Sequence, residues 1–340
     1  MARSSNMSIP ELTFYEGIRE LQDRIDILNA GSAGTITVNY DPGFLAANGG
    51  DYRIPVKFAR TSGIVSHVDE ADPATADTAV TMSTAKGATV FQSLRAYIQR
   101  TRDEMMRGKA TPAAWAVNIA QQMAESKLVY LRDNLLAMAV AAIDSMDTPS
   151  ANYHVIDDAR GSVGGSKVKF TFARLNLLLN KMGDAREKIK SVVLHSSVFA
   201  DLMADGITNY KIDNVGGMMI ASDIPQAMGR KLIVVDSTSL YSDLDSSYYS
   251  EYYVLGLAEG ALQATIISED PVEEETVLTT KVKTYRTRQD LDVEYGVQGM
   301  KWVVGTINPT DAELATAASW DEDLSDHREC GIVKGIYNAT

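Results

Sequence analysis

The chain is poor in the residues from which disulfide and metal frameworks are built. Among its 340 residues there is one cysteine, Cys330, and there are only four histidines. A single cysteine cannot form an intramolecular disulfide, and it leaves no cysteine framework for zinc. The sequence therefore predicts a fold that is stabilised by packing or by partners, in a reducing compartment, without a cofactor or a metal.

Long apolar runs and targeting signals are also missing. No window of eighteen or more residues is continuously apolar, as a membrane-spanning helix would require. The stretch MARSSNMSIPELTFYEGIRE lacks the order of basic and then apolar residues that marks a signal peptide. We therefore expect no contact with a membrane.

Positive charge is in deficit. Lysine and arginine number 32 against 45 aspartates and glutamates, so the formal net charge is −13. Phosphate backbones should be repelled by such a chain, which argues against specific DNA binding and leaves only weak, non-specific contact with nucleic acid held nearby. Hydrophobic residues make up 45% and charged residues 23%, as is typical of a folded soluble protein.

The stretch SVVLHSSVFADL, residues 191–202, places His195 directly before Ser196 and Ser197. A serine nucleophile of the hydrolase type lies in G-x-S-x-G, and the glycines that this sharp turn needs are absent. The pattern instead favours a strand, a serine that caps a helix, and a helix in which Asp201 lies favourably near the positive end. A serine hydrolase that uses His195 with Ser196 or Ser197 is the minor alternative.

Four other stretches imitate functional motifs and fail on detail. RGSVGGSK, residues 160–167, has a serine between glycine and lysine where a phosphate-binding loop needs Gly-Lys-Ser/Thr. DHREC, residues 326–330, offers His327 and Cys330 to a soft metal, and two ligands are too few for structural zinc. DLDSS, residues 243–247, lacks the glycine and the distal glutamate of a calcium loop. The acidic residues within 269–275 are typical of a solvated turn, so no catalytic, cofactor-binding or metal residue is predicted.

The first 86 residues contain two segments with little to pack against locally. Leu12, Tyr15, Ile18 and Leu21 form one stripe at helical spacing, and glycine, proline and asparagine follow Ala30. This helix lacks an obvious local core, which predicts an arm that packs on something else. Residues 51–86 contain two polar strand-like runs, which predict a hairpin that reaches into solvent or onto a neighbour.

A long strand and a longer helix follow. Residues 88–100 alternate as a strand, and Thr111 with Pro112 is a helix N-cap followed by proline at the first helical position. The helix has no internal glycine or second proline as far as Met146, so at 1.5 Å per residue it would span roughly 50 Å. We call it the spine helix.

The remaining chain divides by pattern into three parts. Residues 148–269 alternate helical and strand-like segments around the buried-strand candidate IKSVVLH and the strand KLIVVD, which predicts a lobe with its own core. From residue 270 long strands rich in charged residues should pair with the strand at 88–100, across the spine helix. The last segment, residues 308–340, is predicted to be a polar tail with a short helix.

Several stretches, in this order, resemble a known family. They are VFQSLRAYIQRTRDEM before AAWAVNIAQQMAESKLVYLRDNLLAMAVAAI, then SVVLHSSVFADLMADG, IPQAMGRKLIVVDST, YYVLGLAEGALQAT and VEYGVQGMKW. The order and distances of these stretches are similar to those in the major capsid proteins of tailed double-stranded DNA bacteriophages, over about Ile9 to Gly305. The resemblance implies the α+β fold of the Hong Kong 97 type.

The resemblance also implies a domain plan. It comprises an N-terminal arm (1–50), an extended loop formed by a β-hairpin (51–86), a peripheral domain (87–147 and 270–307) with the spine helix at 112–146, an axial domain (148–269) and a C-terminal tail (308–340). The implied role is self-assembly as hexamers and pentamers into an icosahedral head around the genome. An encapsulin-type compartment shell is the alternative that keeps the fold.

The family also suggests partners and a modification. No long charged helical segment precedes the arm, so the expectation is a separate scaffolding protein, together with a portal and a decoration protein. Some members cross-link a lysine of the extended loop to a distant asparagine. Lys57 lies in the matching region here and Asn338 lies in the tail, but one lysine and one asparagine do not establish that reaction.

Overall fold

A computed structural model gives the arrangement of most of the chain. The structure describes residues 9–41, 56–58, 84–86, 90–101, 111–146, 155–159, 167–205, 211–215, 218–222, 227, 229–242, 250–278, 283–306, 308–322 and 327–338.

Helices and strands alternate along these residues. The helices are α1 (Ile9–Gly31), α2 (Pro112–Ser145), α3 (Phe172–Asn180), α4 (Ser196–Ala204) and α5 (Asp311–Leu314). The strands are β1 (Ile36–Tyr40), β2 (Val56–Phe58), β3 (Thr84–Lys86), β4 (Val90–Thr101), β5 (Ile156–Asp158), β6 (Ile189–Leu194), β7 (Lys211–Val215), β8 (Met218–Ser222), β9 (Lys231–Val235), β10 (Tyr241–Ser242), β11 (Glu251–Ala258), β12 (Leu262–Glu269), β13 (Glu273–Leu278), β14 (Lys283–Val297), β15 (Met300–Trp302), β16 (Trp320–Glu322) and β17 (Ile332–Asn338). No helix in these ranges is long and apolar enough to cross a membrane.

The spine helix is α2, and its start confirms the sequence prediction. The Thr111 side chain accepts a hydrogen bond from the backbone nitrogen of Ala114 at 3.3 Å, and Pro112 occupies the first helical position. This cap satisfies one of the donors that a helix N-terminus leaves unpaired. From Leu128 onwards most residues of α2 are buried, so the helix runs through the core and not over its surface.

Helix α1 packs against its own chain, although no local core for it is obvious in the sequence. Leu21, Ile25 and Leu28 are buried against the spine helix of the same chain. Strand β1 follows α1 and pairs in parallel with β12, from Ile36 opposite Leu262 onwards. The sequence interpretation was wrong because the helix's partner lies about 100 residues further along the chain, beyond the reach of a local pattern.

The first sheet has five strands and lies under the spine helix. Its order is β1, β12, β14, β13, and β4 pairs along the other edge of β14. The β4–β14 pairing is antiparallel and continuous over twelve residue pairs, which confirms the predicted pairing of the strand at 88–100 with the strands after residue 270. Strand β12 also belongs to this sheet, so the boundary predicted after residue 269 is wrong and the chain changes sheets at the turn before Leu262.

The second sheet has eight strands and forms the lobe predicted in the middle of the chain. Its order is β5, β17, β11, β6, β9, β8, β7, with β10 beside β11. Strands β6 and β9 are parallel, and their carboxyl ends lead to helix α4 and to Asp236.

The C-terminal segment corrects the prediction of a polar tail. Strand β17 lies between β5 and β11, and all seven of its residues are paired with β11. Gly256 of β11 makes this approach possible, because a Cβ atom there would come within 2.7 Å of the Val333 side chain. Residues 332–338 therefore form an interior strand of the second sheet.

The expected extended loop is only partly within the described residues. Strands β2 and β3 form an antiparallel pair, with Val56 opposite Lys86 and Phe58 opposite Thr84, as the base of a hairpin would. Residues 59–83 lie outside the described part of the chain, as does the glycine-rich stretch at 160–166.

Candidate assembly surfaces

His195 occupies the position that the sequence assigned to a serine cap. It is the N-cap residue of α4, and its Nδ1 accepts a hydrogen bond from the backbone nitrogen of Ser197 at 3.2 Å. Asp236 lies at the end of β9 and accepts a hydrogen bond from the backbone nitrogen of Ser196 at 3.3 Å. The prediction that Ser196 or Ser197 supplies the cap is therefore wrong, and the acidic group near the helix N-terminus is Asp236, not Asp201.

This geometry does not resemble a nucleophile paired with a base. A base must offer a ring nitrogen to the serine hydroxyl, whereas Nδ1 of His195 accepts from a backbone amide. The Nε2 atom of His195 lies 3.6 Å from Oδ1 of Asp236, and the centroid of its ring lies 5.1 Å from that of the Tyr252 ring. His195 thus holds the start of α4 between two strand ends.

The metal and cross-link candidates also have structural roles. Cys330 is fully buried, and its sulfur accepts a hydrogen bond from the backbone nitrogen of Ile332 at 3.3 Å. Within the described ranges no group of three or more histidine, cysteine, aspartate or glutamate residues is placed to hold a metal ion. Asn338 is 1% exposed, and its side chain bonds to the backbone of Val168 and Ser250, so it is not presented at the surface for a cross-link.

The acidic segment at 269–275 contains a buried ion pair that the sequence interpretation missed. Glu269 is 2% exposed, and its carboxylate lies 2.5 Å from Lys127 Nζ of the spine helix and 2.5 Å from the hydroxyl of Tyr40. Lys127 also donates to Gln289 at 2.6 Å. Burial and the hydrogen bond to Glu269 raise the pKa of Tyr40 far above its usual value. The group therefore ties α2 to three strands of the first sheet.

A second buried lysine joins the second sheet to the spine helix. Lys334 of β17 is 2% exposed, donates to Asp144 of α2 at 2.6 Å, and lies 4.0 Å from the centroid of the Tyr253 ring. A charged side chain in the interior requires such partners. The end of the spine helix is thus anchored to the C-terminal strand.

A groove runs between strand β4 and the spine helix. Its volume is about 630 Å³, and it is lined by every residue from Gln92 to Ile98, by one face of α2 around Met123, and by the loop at 308–310. Since successive residues of a strand point to opposite faces, a cavity lined by a continuous run of them follows the edge of the strand.

One end of this groove is closed by a polar cluster. Asp311 accepts hydrogen bonds from Gln92 at 2.9 Å and from the hydroxyl of Tyr130 at 2.5 Å. Burial, and then the hydrogen bond to Asp311, raise the pKa of Tyr130 to about 12. Next to this cluster, Asn308 has a φ of 63°, and its side chain accepts a hydrogen bond from the backbone nitrogen of Ser93 at 2.9 Å.

The solvent face of the same sheet carries paired charges. Asp290 pairs with Arg95 at 2.8 Å and also with Arg288, and hydrogen bonds from these two guanidinium groups hold the pKa of Asp290 well below its usual range. Tyr97 lies directly opposite Arg288 in the β4–β14 pairing and is 52% exposed. Tyr97 is one of the few large hydrophobic side chains in the described residues that remain open to solvent.

Comparison with solved structures defines the fold. A chain from the structure "Cyanophage Pam1 capsid asymmetric unit" is similar with a TM-score of 0.52 and 11% identity, covering 89% of this chain and 88% of that one. A chain from "Capsid of Ralstonia phage GP4" is similar with a TM-score of 0.50 and 9% identity, covering 90% and 87%. The holo-SrpI encapsulin from Synechococcus elongatus reaches a TM-score of only 0.40 at 7% identity, covering 88% and 85%, and supports no conclusion. The fold is that of Hong Kong 97-type phage capsid proteins, as the sequence predicted.

Comparison with family models then identifies the family. Residues 6–333 match the Gp13-like model, which is described as "Major capsid protein 13-like", and the chain belongs to that family. Comparison with curated protein sequences gives no match. The protein is a major capsid protein of a phage and hence a component of the virion, which confirms the role predicted from the sequence.

Proposed function

We propose that this chain assembles as hexamers and pentamers into the icosahedral head that encloses the double-stranded DNA of a tailed phage. The observation that carries the proposal is the family match over residues 6–333. In this arrangement the second sheet forms the axial domain, which meets its copies at the capsomer axis, and the hairpin that begins at β2 lies over a neighbouring subunit.

The internal ties of the subunit support a structural role. The two buried lysines, Lys127 and Lys334, fix both halves of the spine helix to the sheets, so the subunit can transmit contact forces as one body. The role requires no catalytic residue, and none is assigned.

The remaining partners follow from the family role and from charge. We propose a separate scaffolding protein and a portal, with a decoration protein as a further possible partner. The net charge of −13 supports only weak, non-specific contact between the shell and the packaged DNA, because a wall that gripped phosphates would hinder packaging and release.

Electron microscopy of the purified chain, expressed with and without its scaffolding protein, tests the proposal. We expect closed shells built from six-fold and five-fold capsomers. Small uniform shells loaded with a protein cargo would favour a compartment of the encapsulin type instead, and a subunit that stays monomeric with its scaffold present would contradict the proposal.

A deletion tests the assignment of the extended loop. Removal of residues 66–79, which lie outside the described residues, should leave a folded subunit that does not close shells. Normal particles from this deletion would contradict the placement of the loop on a neighbouring subunit.

A further inference from the structure

Strand β4 is an edge strand with an open segment. It pairs with β14 on one side only. The bond from the Ser93 nitrogen to Asn308 shows that the odd-numbered residues direct their N–H and C=O groups away from β14. Within the described chain the outward backbone groups of Arg95, Tyr97 and Gln99 have no hydrogen-bond partner.

Other edges of this sheet are protected. On the outer side of β1 the amide of Asn29 both donates to Val38 O at 2.8 Å and accepts from Val38 N at 2.9 Å, so it takes the place of a neighbouring strand. Edge strand β13 carries three consecutive glutamates, 273–275, and charge at an edge discourages pairing. Among the described residues, no side chain caps the outward backbone groups of residues 95–99 of β4, and their one charged residue, Arg95, is paired with Asp290. This edge is therefore less protected than the others.

We infer that the open edge of β4, residues 95–99, pairs antiparallel with the same segment of a second copy, about a two-fold axis at Tyr97. The inference rests on the self-association in the proposed function and adds a specific contact to it.

The sequence of the segment is self-complementary in this register. Tyr97 lies opposite Tyr97 of the second copy, and Arg95 lies opposite Gln99, so no like charges face each other directly. Ala96 lies opposite Ile98, and both project towards the groove face, where the grooves of the two copies become continuous.

The length of the ladder is also set by the structure. Asn308 occupies the outward nitrogen of Ser93, which ends the ladder at that side and, by symmetry, at the other. Three outward residues from each copy remain, and two-fold pairing satisfies the N–H and C=O groups of all of them. An isologous contact of this kind closes on itself and joins subunits in pairs.

Cysteine substitution tests the register. In a hydrogen-bonded antiparallel pair the Cα atoms are about 5.5 Å apart, which a disulfide can bridge. Tyr97→Cys should therefore yield a covalent dimer from oxidised particles, without higher species, and reduction should abolish it. Cys330, the only native cysteine, is fully buried, so the unsubstituted protein is the background control.

Arg95→Cys is the matched control, because residue 95 lies opposite residue 99 of the second copy. The two copies of residue 95 are therefore separated by four residues along the strand, or about 14 Å, which is too far for a disulfide. The double variant Arg95→Cys/Gln99→Cys should cross-link again, and it decides the question if Tyr97→Cys does not assemble. The inference is overturned if particles of the Tyr97→Cys and double variants form normally but contain no covalent dimer. It is also overturned if the single Arg95→Cys variant cross-links as efficiently as Tyr97→Cys. Absence of particles from the unsubstituted chain would instead contradict the proposed function.

Discussion

The buried pair between Lys127 and Glu269 allows a quantitative test. Both side chains are more than nine-tenths buried, and the carboxylate also accepts the hydroxyl of Tyr40. Removing one member of a buried ion pair leaves the other charge uncompensated and typically costs about 3–5 kcal/mol. Lys127→Met and Glu269→Gln should each lower the free energy of unfolding by about 3 kcal/mol or more, whereas the double variant should lose clearly less than the sum.

Urea unfolding of the unassembled subunit, followed by tryptophan fluorescence, measures these values. Arg19→Met removes an exposed pair with Glu16, in which Arg19 is 68% exposed, and should change stability by less than about 0.5 kcal/mol. Glu269→Gln retains an acceptor for Tyr40, which isolates the effect of charge. If each single variant cost less than about 1 kcal/mol, or if the two costs were additive within about 0.5 kcal/mol, the pair would not stabilise the fold as argued.

Four further outcomes follow from individual contacts. His195→Ala should lower the free energy of unfolding by about 1 kcal/mol, as the loss of an N-cap does. A serine-directed phosphonate should not label Ser196 or Ser197, and labelling would support the hydrolase alternative. Asn29→Ala should lower the free energy of unfolding by about 1–3 kcal/mol, because the backbone N–H and C=O of Val38 lose their hydrogen-bond partners on the outer side of β1. The pKa of Tyr130 is raised to about 12, so its contribution to stability is complete below about pH 10 and is lost as pH rises towards 12; Tyr130→Phe should flatten the decline of stability in that range. The lowered pKa of Asp290 has the opposite effect on the pH dependence of stability, because its contribution is present above about pH 4 and is lost as pH falls. Asp290→Asn should therefore reduce the loss of stability in acid. An unchanged acid unfolding profile would contradict this.

Sequence reasoning succeeded where the signals are local. The start of the spine helix depends on Thr111 and Pro112, which act within one turn, and the helix begins where they predict. The order of the stretches along the chain was also sufficient to predict the capsid fold.

It failed where a partner is distant in sequence. The apolar stripe of α1 lies on a helix about 100 residues away, and β12 leaves the sheet of β11 after a turn of three residues. Two buried lysines, Lys127 and Lys334, could not be distinguished from surface lysines, because their acidic partners lie 142 and 190 residues away.

The histidine of SVVLHSSVFADL shows how local rules can mislead in detail. Serine is a preferred N-cap and histidine is not, yet here the ring of His195 accepts the bond. The strand pattern placed the helix start within two residues, and the side-chain geometry identified the capping residue.

The position of β17 has a consequence for how the protein is made. Strands β5 and β11 are about 90 residues apart in sequence, and the strand that separates them is β17. A nascent chain that has not reached residue 332 lacks the strand that joins β5 to β11, so it has an incomplete second sheet and an unpaired edge on β11. The second sheet can therefore be completed only after residues 332–338 have been synthesised, which makes its closure a late step in the folding of the subunit.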